Sequence, residues 1–152
     1  MNEREQKAMQ LFKEGYNCAQ AVLLTFCDVT GLDFSEAARL ASTFGGGMGR
    51  LREVCGAVSA MTMLLGLTEG YDDPLDKEAK KQTYRLVQQL AGEFKKENGS
   101  IVCRELLGAS KEKQTYVPEE RTEEYYKKRP CVELVGMCAR IFDEYYNNKN
   151  MA

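Results

Sequence analysis

The stretch GGGMGRLREVCGAVSAMTMLLGL, Gly45 to Leu67, passes from a cluster of glycines through two arginines into a long apolar run headed by Cys55. From Val54 onward the residues are small or apolar on every side. That pattern predicts a buried helix over 54–67, the central helix of the fold. The run is shorter than the roughly 20 residues needed to cross a bilayer, so no membrane span is expected.

Working outward, apolar residues recur at spacings of three and four, with Gly, Asn, Ser and Pro between the segments. Strand patterns are absent. A first helix is expected over 3–14, with Ala8, Leu11 and Phe12 on one side. Asn17 then starts a second, over 18–29, and Ser35 caps a third, over 36–43. Asp73-Pro74 offers the start of a long helix over 75–96, whose stripe is Ala79, Thr83, Leu86, Val87, Leu90 and Phe94. Ser100 caps a short helix ending at Leu107. A polar segment from Ala109 to Arg129 follows, with Tyr125 and Tyr126 as its anchors, and a last helix covers 130–146. The expectation is all-α: one compact multi-helix bundle, a single helical domain over 1–152.

Composition narrows the function classes. With 21 basic against 23 acidic residues there is no single-signed field to recruit nucleic acid or anionic lipid. The charged, amphipathic start lacks the apolar h-region of a secretory signal, which points to the cytoplasm. There six cysteines would be kept reduced, so a disulfide framework is not expected. The chain has no histidine, which removes Ser-His-Asp and Cys-His catalysis and every imidazole ligand. It also has no Cys-x-x-Cys, so any pairing of cysteines must come from the tertiary fold.

Four cysteines fall in the first turn of an expected helix: Cys18 after Asn17, Cys55 after the glycine loop, Cys103 past Ser100, and Cys131 after Pro130. A first turn offers unpaired N–H groups and the positive end of the helix dipole, which favour a thiolate. Arg50 and Arg52, Arg104, and the run Lys127-Lys128-Arg129 lie close in sequence to three of the four. Cys27 and Cys138 fall inside helices and read as packing residues. Gly45, Gly46, Gly47 and Gly49 can take positive φ and bring amide donors near a bound cofactor or thiolate. Gly56 and Ala57 are small enough for another helix to approach. The acid pairs Glu119-Glu120 and Glu123-Glu124 read as solvated surface.

The elements GYNCAQAV around Cys18, FGGGMG and CGAVSA through Cys55, CRELLG from Cys103 and CVELVGMCARI from Cys131 together resemble a family of redox-active proteins. The pattern expected of that family is a cysteine, a Cys-Gly-Ala-x-x-Gly motif and two later cysteines. The departure is Ala60, where the motif ends in glycine. The resemblance implies Cys18, Cys55, Cys103 and Cys131 as the functional cysteines.

Three readings follow. In the first, two of the four cysteines exchange with a disulfide, Cys103 and Cys131 being one candidate pair, acting on a redox partner or small molecule. In the second, all four ligate a metal ion or iron–sulfur cluster. In the third, the chain is a helical interaction module whose cysteines only pack. Homo-oligomer formation is left open by the sequence.

Overall fold

The computed structural model describes residues 2–108 and 115–150; the first part of the polar segment, 109–114, lies outside them. Among the described residues the chain is all-α. In order the helices are α1 (Glu3–Lys13), α2 (Cys18–Leu24), α3 (Cys27–Thr30), α4 (Phe34–Ser42), α5 (Gly56–Glu69), α6 (Lys77–Asn98), α7 (Cys103–Leu107), α8 (Glu123–Lys128) and α9 (Cys131–Asn150). None of these is long and apolar enough to cross a membrane.

Helices α2 and α5 share the centre. α2 packs on α1, α4, α5 and α9, and all of its residues except Cys18 and Gln20 are buried. α5 is buried nearly all round over its first ten residues, as its even apolar pattern predicts, and emerges at Gly66 and Leu67. One continuous core joins these two helices to α1, α4, α6 and α9, with Phe12, Phe26, Phe94 and Phe142 its largest buried side chains.

Several elements depart from the sequence expectation. The third helix begins at Phe34, capped by Asp33 and not by Ser35, and the short helix begins at Cys103 after Val102, with Ser100 accepting from the Val102 N–H in the turn before it. The second helix stops at Leu24 instead of running to Val29, because Phe26 turns inward, edge-on to Phe142 at 5.0 Å between ring centroids. Arg4 supports the break: its Nη1 donates to the freed Thr25 carbonyl at 2.8 Å, and its fork grips Asp28. Cys27 therefore heads its own single turn, α3, and does not sit inside a helix. The long helix begins at Lys77, capped by Asp76, while Asp73 accepts from the Leu75 N–H at 2.9 Å in the turn before it. Of its expected stripe only Leu90 and Phe94 are fully buried, because its first half lies at the edge of the bundle.

Candidate functional site

The site is built by the loop that leads into α5. Between Gly46 and Arg52 six of seven residues have positive φ: Gly46 (65°), Gly47 (72°), Met48 (68°), Gly49 (55°), Arg50 (65°) and Arg52 (63°). Three of these carry side chains, and left-handed backbone costs an L-residue about 1–2 kcal/mol. Backbone bonds hold the loop there. Gly49 N–H reaches Thr43 O at 2.8 Å, Arg50 N–H reaches Gly45 O at 3.0 Å and Glu53 N–H reaches Gly47 O at 2.9 Å. Strain maintained in this way is characteristic of binding and catalytic loops.

Beyond the loop, residues 52–55 run antiparallel to 101–104. The Cys55 N–H donates to Ile101 O at 2.8 Å, the Cys103 N–H to Glu53 O at 2.6 Å, and Val54 bridges Val102. This short ribbon sets the starts of α5 and α7 side by side. Asn17 does the same for α2. Its side chain accepts from the Gln20 N–H, Gln20 answers to the Asn17 N–H, and the Asn17 amide donates to Ser42 O at 3.1 Å beside the loop. Pro130 supplies the first carbonyl of α9, accepting from the Leu134 N–H at 3.0 Å.

Together these devices place Cys18, Cys55, Cys103 and Cys131 on the wall of one cavity of about 400 Å³. Cys55 is the N-cap of α5, and the other three are the first residues of α2, α7 and α9. All six cysteines are free thiols. Glycines make the approach between segments feasible: a Cβ on Gly56 would stand 2.5 Å from Cys18 Sγ, and one on Gly47 would stand 2.7 Å from Cys103 Cβ. Gly45, Gly46 and Gly49 line the cavity, whereas Gly47 packs against Cys103 outside its lining.

At three of the four cysteines burial works against the thiolate that a helix start was expected to favour. Burial pushes the thiols of Cys18 and Cys55 up, and that of Cys131 up to about 12. Desolvation of a charged sulfur outweighs the pull of the helix N–H groups. Backbone N–H groups still act in the opposite sense, from Gly46 of the loop and from Ala19 and Cys18 itself on Cys18, and from Val58 and Ala57 on Cys55. The sulfurs also oppose one another's ionisation. Cys18 is the shared neighbour: its charge raises Cys55 and Cys131, and Cys103 is the charged group that raises Cys18 most.

Cys138 is fully buried and raised by burial, then by Cys55 and Cys18; it lies behind the site without lining the cavity. Cys27 is half-buried and also outside the lining. No group of three or more Cys, Asp or Glu side chains among the described residues is arranged to hold a metal ion, so the four thiols do not fit a metal site as they stand.

The basic residues distribute differently from their sequence neighbourhoods. Arg52 turns to Cys103, its Nη1 donating to Sγ at 3.7 Å. Arg104 leaves the site to pair with Glu53 at 2.8 Å, and Lys127 and Lys128 are exposed and outside the lining. Arg129 lines the cavity and opposes the upward shift of Cys131. Glu119, expected to be solvated surface, lies on the cavity and bridges Arg50 and Arg129. Arg121 was not singled out from the sequence, and Tyr125, expected as an anchor of the polar segment, also lines the cavity. Arg121 lies 4.0 Å from the Phe12 ring centroid, and the Tyr125 ring has Arg121 and Arg129 over it at 5.5 and 5.9 Å. Their spacing of four, Arg121-Tyr125-Arg129, was the available signal.

A comparison with family models matches residues 16–145 to the family described as "Putative redox-active protein (C_GCAxxG_C_C)". The chain belongs to this family. The matched span contains all four cavity cysteines, the glycine loop and the arginines that flank α8. The family's name spells Gly-Cys-Ala-x-x-Gly where Cys-Gly-Ala-x-x-Gly was expected, and around Cys55 the chain reads Val54-Cys55-Gly56-Ala57. No curated protein and no solved structure gave a match.

Proposed function

We propose that this member of the redox-active family is a thiol–disulfide exchange protein, with Cys103 as the attacking sulfur and Cys18 as the resolving one. The observation that carries this reading is the Arg52 Nη1 contact to Cys103 Sγ at 3.7 Å, on a cavity wall that Cys18, an electrostatic neighbour of Cys103, shares. A guanidinium at that distance offsets the negative charge that sulfur must carry to attack. The Cys103–Cys131 pairing is less well supported, because Cys131 responds to Cys18 ahead of Cys103.

The chemistry closes on these residues. Cys103 gives up its proton and attacks one sulfur of a substrate disulfide. A Cys103–substrate bond forms, the substrate S–S bond breaks, and the departing thiolate takes up a proton. Sulfur bonded in that mixed disulfide no longer carries charge, which removes one influence that keeps Cys18 protonated. The N–H groups of Gly46 and Ala19 then favour ionised Cys18, which attacks the Cys103 sulfur and expels the second substrate thiolate to be protonated. Two protein thiols become one disulfide, and one substrate disulfide becomes two thiols.

Mass mapping of protein oxidised by a small disulfide tests this. The expected product is a Cys18–Cys103 bond, and Cys18→Ser should trap the mixed disulfide on Cys103. Six unmodified thiols, or a bond that involves neither residue, would overturn the assignment.

A further inference from the structure

We infer that the cavity selects a small anionic disulfide, one carrying carboxylate or comparable acidic groups; this rests on the thiol-exchange reading and specifies its substrate. Acidic residues outnumber basic ones over the whole chain, 23 to 21, yet the described residues lining this cavity include Arg50, Arg52, Arg121 and Arg129 against Glu119 as the one acid. The thiols that share the wall add no negative charge while protonated, and burial keeps three of them so. A net positive recess therefore sits inside an acidic protein. Low-dielectric walls concentrate such a field, and Phe12, Leu106, Leu107 and Leu134 are among the residues that line the cavity.

Arg50 is the group that most calls for a ligand. Its side chain is 17% exposed, and its Nη1 is buried with no hydrogen-bond partner among the described residues. Its other terminal nitrogen meets Glu119 at 3.5 Å, a long contact for a charged pair. A buried guanidinium N–H without an acceptor is unfavourable, and an oxyanion in the cavity would meet it. The backbone at Arg50 is held in left-handed geometry, which fixes where this side chain leaves the loop. The volume, about 400 Å³, is that of a small-molecule site.

Two aromatic disulfides of similar size test the inference: dithiobis-nitrobenzoate, a dianion, and dithiodipyridine, which is neutral. The rate at Cys103 is followed by peptide mapping for each, and divided by the rate of free mercaptoethanol with the same probe. The normalised rate should favour the dianion by on the order of tenfold at low salt. Sulfate should suppress that preference more than chloride at equal ionic strength. Arg50→Gln should lower it several-fold, and Glu119→Gln, which removes the carboxylate beside Arg50 and Arg129, should raise it. If Arg50→Gln does not fold, the rise in Glu119→Gln carries the test. Equal normalised rates, unmoved by Glu119→Gln, would overturn the anion selectivity and leave thiol exchange standing. Absence of reaction at Cys103 with either probe would instead overturn the exchange reading, and this inference with it.

Discussion

Cys18 Sγ lies 2.5 Å from the point that a Cβ on Gly56 would occupy, and the Phe44 carbonyl oxygen lies 2.6 Å from the same point. The sulfur and the helix start are therefore in contact only because residue 56 has no side chain. Adding a methyl group would force back either the sulfur or backbone, neither of which is the loose end of a flexible chain. Gly56→Ala should cost about 2–3 kcal/mol in urea unfolding and alter the alkylation rate of Cys18. Gly66→Ala, in the same helix with nothing within 4 Å, should stabilise by about 0.5–1 kcal/mol. Equal effects from the two substitutions would show that the Cys18–Gly56 contact is unimportant.

A second prediction concerns the part of the wall that Arg121 ties to α1. Arg121 donates from Nη1 to Phe12 O at 2.6 Å and from Nη2 to Tyr16 O at 2.9 Å, carbonyls at and just past the end of α1. Its plane also covers the Phe12 ring. A lysine carries the charge but cannot reproduce the two-pronged geometry. Arg121→Lys should cost about 1–2 kcal/mol and speed hydrogen exchange across 122–129, because the α8 segment loses its tie to α1. Unchanged exchange in that segment would sink the claim that Arg121 holds this wall.

How far the sequence could be read depends on the range of the interaction behind each feature. Asn17, Pro130 and the apolar run after Cys55 act through their immediate neighbours, so the helix starts carrying Cys18, Cys55 and Cys131 were legible. The break at Phe26 was not, because it depends on Arg4, more than twenty positions away, gripping Thr25 and Asp28. The thiol charge was misread for the same reason. A helix start is a local feature that favours ionisation, whereas the desolvation that outweighs it comes from α2, α5 and α9 packing together. Glu119 is exposed, as its acidic neighbourhood suggests, but its ion pairs were not legible because its partners, Arg50 and Arg129, approach from separate parts of the chain.

That upward shift makes the last prediction, one of stability against pH. Cys18, Cys55, Cys131 and Cys138 all hold their protons more tightly in the fold than in the unfolded chain, where a thiol ionises near pH 9. Below that pH both states are protonated and the contribution to stability is complete. Above it the unfolded chain loses thiol protons first and binds fewer of them, so folding stability falls as pH rises. For Cys131 the fall continues until the folded thiol itself ionises, near 12. Each such thiol contributes a slope of up to about 1.4 kcal/mol per pH unit in this window. Lysines and tyrosines titrate there too, so the measurement is a difference between variants. Urea unfolding of the wild type and of Cys131→Ser, at about pH 8 and about pH 10, should show a smaller loss in the variant, by roughly 1 kcal/mol. An identical loss in both proteins would mean that Cys131 ionises as easily in the fold as out of it, and that burial does not control the chemistry of the cavity.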